Sequence, residues 1–159
     1  MTLVGLLKKR NGSALVTVIM LLAVIVILTS SVSVIFANNL RQTRLQEQKV
    51  QAYYLALTGI DMTLSALMLE DGPGNTLLNE FKWNPSQSIE DDLANKQHLN
   101  QTDTINLDNG TVTVNIRPIN TDNRREVEIH SIGRLSNTEI TNSLTLILEA
   151  DNPQVQRWD

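Results

Sequence analysis

Ala14 to Ala37 reads ALVTVIMLLAVIVILTSSVSVIFA, and the interpretation of the whole chain turns on it. No charged side chain occurs between Arg10 and Arg41. A helix rises about 1.5 Å per residue, so about 20 apolar residues cross a ~30 Å hydrocarbon core. Val and Ile are indifferent helix formers in water. In lipid the backbone has to satisfy its own hydrogen bonds, and helix is the only single-segment way to do so. The alternative, a helix buried on all sides in a soluble protein, has only residues 38–159 to cover it.

The flanks set a direction. Lys8, Lys9 and Arg10 form a tight basic cluster before the run, whereas Arg41, Arg44 and Lys49 after it are spread out and accompanied by Glu47. This bias favours a cytoplasmic N-terminus with the remainder outside. A secretory signal has a shorter apolar region, of about 7–15 residues, although Ser30, Ser31 and Ser33 leave conventional cleavage open.

Composition narrows the function. The 159 residues hold 13 Lys+Arg and 17 Asp+Glu, a net charge of −4, which argues against a dedicated nucleic-acid binder. No nucleic-acid partner is expected. With no cysteine there is no disulfide, thiolate zinc site or cysteine nucleophile. Two histidines and 4% aromatics are a thin supply for catalysis.

Beyond the apolar run, Ala52, Leu55, Ala56, Gly59, Ile60, Leu64 and Leu67 recur at steps of three and four, one face of an amphipathic helix. No proline interrupts 13–69, so a helix from about Ser13 to Glu70 is expected, stopping at Asp71-Gly72-Pro73-Gly74. Residues 74–102 read as a polar connection with one short helix near Ile89–Gln97, pinned by Phe81, Trp83, Ile89, Leu93 and Leu99. From Thr104 the period changes to two. Asn109-Gly110 between two alternating runs signals a hairpin with those residues in the turn. A second strand pair, Glu126–Leu135 and Glu139–Glu149, follows, with a slip in alternation near His130-Ser131 and a loose tail from Asp151. The expected fold is α+β: a long N-terminal α-helix, transmembrane in its first half and amphipathic in its second, packed on a C-terminal antiparallel sheet of about four strands.

Three features carry a family resemblance. Lys8-Lys9-Arg10-Asn11-Gly12-Ser13 is a short basic leader ending in Gly directly before the apolar run. Ala52-Tyr53-Tyr54-Leu55-Ala56-Leu57-Thr58-Gly59-Ile60 is similar to an A-x-Y-L-A-x-x-G-I helix segment, and Ile129-His130-Ser131-Ile132-Gly133 to an I-x-S-x-G strand. Together they resemble the type IV pilin and type II secretion pseudopilin superfamily, in particular PilX-type minor pilins and K-type minor pseudopilins. The resemblance implies a leader of residues 1–12 cut between Gly12 and Ser13, with methylation of the new N-terminus. It further implies a transmembrane and filament-core half over 13–40 and an extracytoplasmic domain over 41–159. Leu15, Val16, Thr17, Leu21 and Leu22 would then pack in the filament core. Partners implied are other pilins or pseudopilins, a prepilin peptidase, the inner-membrane assembly platform and lipid. Gly12 as a simple loop residue ahead of a membrane helix is the competing reading of the leader.

One departure from the family bears on function. Major pilins place Glu at the fifth mature position to compensate a neighbour's N-terminal ammonium, whereas here that position is Thr17. An uncompensated charge in an apolar core costs several kcal/mol. Such a subunit is poorly suited to repeated stacking and suits the tip. The expectation is a minor, tip-located or assembly-initiating subunit, first single-pass in the cell membrane and then in a pilus or pseudopilus. The alternative is an uncleaved single-span membrane protein whose outer domain binds a partner or ligand.

Enzymatic chemistry is not expected. Neither His98 nor His130 has a metal-ligand partner at helical spacing, and no P-loop, G-x-S-x-G or H-E-x-x-H occurs. No cofactor is expected. Calcium enters only through the pseudopilin resemblance, at Glu90-Asp91-Asp92, which lacks the D-x-[DN]-x-[DN]-G loop and reads as a solvated acidic turn. Arg124 and Arg125 read as a small basic spot, and Tyr53 and Tyr54 as packing and membrane-interface residues.

Overall fold

The computed structural model describes the backbone of residues 3–70, 72, 75–121, 124–136 and 138–159, and side chains within those spans from Ala14 onward. The chain divides into two compact units, Met1–Leu45 and Gln46–Asp159. Helix α1 runs Leu3–Leu67, so the helix begins before Ser13 and stops short of Glu70. Glu70 instead forms an antiparallel bridge with Thr76.

In the first unit every described side chain is exposed. The hydroxyls in the apolar run are absorbed by the helix itself. Thr29 Oγ1 donates to the carbonyls of Ile25 and Val26, Ser30 to Val26, Ser31 to Ile27 and Ser33 to Thr29, at 2.7–3.0 Å. Back-bonding of this kind leaves no hydroxyl proton seeking water, so scattered Ser and Thr do not oppose an apolar environment.

The second unit is α+β. A 3₁₀ turn at Leu77–Phe81, helix α2 at Ile89–Asn95 and a 3₁₀ turn at Gln97–Leu99 lead into five strands: β1 Gln101–Leu107, β2 Gly110–Thr121, β3 Arg124–Leu135, β4 Thr141–Glu149 and β5 Gln156–Trp158. They form one antiparallel sheet in sequential order. The strand beyond the expected four is the tail. Leu146 faces Trp158 and Leu148 faces Gln156, so the C-terminus is paired and not loose.

The core lies between α1 and the inner face of the sheet. Ile60, Leu67, Val112, Val114, Val127, Ile129, Leu146 and Leu148 are its centre, and the connection closes one end with Leu78, Phe81 and Leu99. Of the expected pins, Phe81 and Leu99 are buried and Ile89 and Leu93 half-buried, whereas Trp83 is exposed. Pro118 sits within β2 without breaking a ladder. Gln101, the first residue of β1, pairs with Ile116, so Pro118 lies beyond the stretch where β2 needs donors toward β1.

Two local expectations are corrected. The first hairpin turns on Asp108-Asn109, and Gly110 is already the first residue of β2, paired with Leu107. Glycine is required there because a Cβ would lie 2.1 Å from the Arg134 carbonyl oxygen and 2.8 Å from Leu55 Cδ1. The expected slip at His130-Ser131 does not exist. β3 alternates without interruption, with Arg125, Val127, Ile129, Ser131, Gly133 and Leu135 all buried. Ser131 and Gly133 face inward because the helix comes too close for anything larger.

Candidate functional site: the exposed apolar helix and the small-residue seam

Between Leu15 and Phe36, sixteen large apolar side chains are 50–67% exposed. Leu15 (63%), Val16 (54%), Leu21 (58%) and Leu22 (56%), the residues expected to pack in a filament core, are all among them. Thr17 is also exposed. Gly12 and Ser13 fall within the helical span of α1, but their side chains lie outside the described residues, as do those of Lys8, Lys9 and Arg10. Covering sixteen such side chains is worth on the order of 30 kcal/mol, so water is the wrong solvent for this surface. By length and composition the helix is able to cross a membrane.

Within the second unit, α1 presents Ala52, Ala56, Gly59, Ile60, Thr63 and Leu67 to the sheet, all buried. The small members of this stripe meet the small residues of β3. A Cβ on Gly133 would lie 2.3 Å from the Ala52 carbonyl oxygen and 2.5 Å from the Ala56 nitrogen. A Cβ on Gly59 would lie 2.4 Å from both Ser131 Oγ and Val112 Cγ1. The helix segment and the strand segment singled out in the sequence are therefore the two halves of one contact. Thr63 joins the stripe because its hydroxyl donates to the Gly59 carbonyl at 2.8 Å and needs no other partner. Ser131 Oγ has no hydrogen-bond partner among the described residues.

A polar contact that the sequence did not reveal fixes the connection. Asp92 on α2 and Arg125 on β3 form an ion pair, with the two residues 1% and 3% exposed. Lys96 Nζ lies 3.6 Å from the other carboxylate oxygen of Asp92 and donates to the Lys82 carbonyl. Asn120, the cross-strand neighbour of Arg125, donates to the Ile89 carbonyl at 3.3 Å. The network is only partly satisfied: Arg125 Nε and Nη1 and Asn120 Oδ1 are buried without partners among the described residues. Arg125 is thus no surface basic spot, and Asp92 is no part of a solvated turn. Asp91 has a separate task, since Ser88 caps α2 by accepting from the Asp91 amide at 3.2 Å and donating to Asp91 Oδ2 at 2.6 Å.

The outer face of the sheet carries exposed pairs. Arg117 makes a two-pronged contact with Glu128, at 2.8 and 3.0 Å. Glu128 raises the Arg117 guanidinium above its ordinary pKa, through the hydrogen bond first and its charge second. A raised pKa on a cation contributes stability below the unfolded value, lost only as pH rises through the folded one, far into the alkaline range. Arg117 is therefore charged throughout the physiological range. His130 Nδ1 lies 3.0 Å from Thr145 Oγ1, and His98 Nδ1 2.9 Å from the Asn95 carbonyl. Among the described residues, no three His, Asp or Glu side chains gather as metal ligands. Tyr53 and Tyr54 are exposed and stack edge to face, with centroids 5.7 Å apart.

Comparison with protein-family models, with characterised proteins and with solved structures gave no match.

Proposed function

We propose that the protein is a minor type IV pilin or pseudopilin subunit. It inserts as a single-pass precursor with its N-terminus in the cytoplasm and is cleaved between Gly12 and Ser13 by a prepilin peptidase. The assembly platform of the inner membrane then packs it into a pilus or pseudopilus with other pilins. Its work is mechanical rather than catalytic. The observation that carries this reading is the pairing of motifs: the A-x-Y-L-A-x-x-G-I helix segment and the I-x-S-x-G strand meet at Gly133–Ala52 and Gly59–Ser131. A chance likeness in two separated segments gives no reason for them to touch.

The exposed residues Leu15, Val16, Leu21 and Leu22 support the same reading, because they need lipid first and neighbouring helices later. Thr17 at the fifth mature position supplies no carboxylate for a neighbour's ammonium, which favours the tip or an initiating complex over the repeating shaft. Removing Lys8, Lys9 and Arg10 with the leader takes the net charge from −4 to −7.

The test is a bulky substitution at Gly12 with the processing peptidase co-expressed. The wild-type chain shortens and the variant stays at precursor size. A normal size shift in the variant would overturn the leader assignment.

A further inference from the structure

The sheet ends on one side in β1, whose outer edge no other strand covers among the described residues. The two-residue turn makes Leu107 and Gly110 a hydrogen-bonded pair. By alternation Asp103 and Ile105 also bond to β2, and Thr102, Thr104 and Asn106 direct their N–H and C=O groups outward. Folded proteins guard such edges with Lys, Pro, bulges or an inward-pointing charge. β1 contains neither Lys nor Pro and has the last device alone. Asp103 is exposed on the inner face, and its Oδ1 accepts the outward Thr104 amide at 2.7 Å.

Beside this edge runs a groove of about 420 Å³, between β1, the last turns of α1 and the 3₁₀ turn at Leu77–Phe81. Its apolar walls include Met62, Leu77, Ile105 and Ile116, with Met62 and Leu77 more than two-fifths exposed. Glu80 and Asp103 also line it, and neither is in an ion pair among the described residues.

We propose that β1 and this groove receive an extended strand of a partner protein that carries both Lys or Arg and apolar residues on one face, at every second position. Such a strand would satisfy the outward groups of Thr102 and Asn106. Its side chains would alternate between the groove and the outer face, with same-face residues about 6.7 Å apart. Docking removes Asp103 and Glu80 from water. A neutral or acidic strand leaves both carboxylates desolvated and unpaired, whereas a cationic one compensates them and frees the Thr104 amide for pairing. Asp103 therefore both guards the edge and selects what is admitted, by penalising the wrong partner. The inference stands independently of the filament reading.

The test titrates the full-length protein in detergent micelles with the synthetic peptide Thr-Lys-Thr-Val-Thr-Lys-Thr, whose Lys and Val share one face, and with an analogue carrying Glu in place of both Lys. The Lys peptide is expected to bind about ten-fold tighter or more, and to slow amide exchange at Thr102 and Asn106. The double variant Glu80→Lys/Asp103→Lys, changed only at exposed positions, is expected to reverse the preference. No binding, equal affinity for both peptides, or binding that leaves exchange at Thr102 and Asn106 unchanged would overturn the proposal.

Discussion

Gly133 of β3 touches the backbone of Ala52 on α1: a Cβ added to the glycine would stand 2.3 Å from the alanine's carbonyl oxygen. The same Cβ would stand 2.5 Å from the Ala56 nitrogen, so the helix backbone rests directly against the strand. Neither neighbour is the far end of a flexible side chain, and relief would require moving α1. Gly133→Ala is therefore expected to cost about 3 kcal/mol or more, at the upper end of overpacking effects. Equilibrium unfolding of the full chain in micelles, followed by the sheet signal, measures it.

Ser131, one step along the same strand, gives the opposite prediction. Its hydroxyl is wholly buried and has no partner among the described residues. Ser131→Ala removes an unsatisfied polar atom at nearly constant volume and is expected to be neutral or to stabilise by about 1 kcal/mol. Gly59→Ala should be destabilising in the wild-type background and less so with Ser131→Gly, because one of its two closest contacts is Ser131 Oγ. A double-mutant cycle reads this coupling, and strict additivity would count against the seam.

The Asp92–Arg125 pair predicts a large asymmetry. Asp92→Asn leaves a buried guanidinium without its counter-charge and should cost about 3–5 kcal/mol. Replacing both partners by Leu and Met should recover much of that loss, since two of the guanidinium nitrogens are already unsatisfied. Amide exchange over α2 should report the release of the connection in the single variant and its retention in the double one.

The first unit predicts a cost in a different solvent. Val26 lies in the middle of the uncharged run and is 60% exposed. Val26→Arg should weaken membrane insertion by about 2.5–3.5 kcal/mol. A glycosylation-tagged insertion assay with wild type in parallel would measure the change.

Much of this architecture was legible in the sequence because it rests on periodicity. The stripe from Ala52 to Leu67, the short helix near Ile89 and the hairpin before Val112 each repeat a local pattern that packing then uses. What escaped depends on partners distant in sequence. Asp92 and Arg125 are 33 residues apart, and each alone reads as an ordinary surface charge. His130-Ser131 reads as a break in alternation, because hydropathy expects bulk on an inner face. Here the inner face needs absence of bulk, a requirement set by the helix above it. β5 escaped because three paired residues are too few to show a period. For the candidate site, the exposed helix was plain from its composition, whereas its side chains at Gly12 and Ser13 lie outside the described residues.

In the proposed life of the protein, the apolar helix begins as a membrane anchor and ends, trimmed, among other helices in a filament. Mass spectrometry of the N-terminus, on protein isolated from membranes of cells that contain the processing peptidase, tests it most directly. The expected product is a chain that starts at a methylated Ser13. A chain that retains Met1 through Gly12 would contradict it.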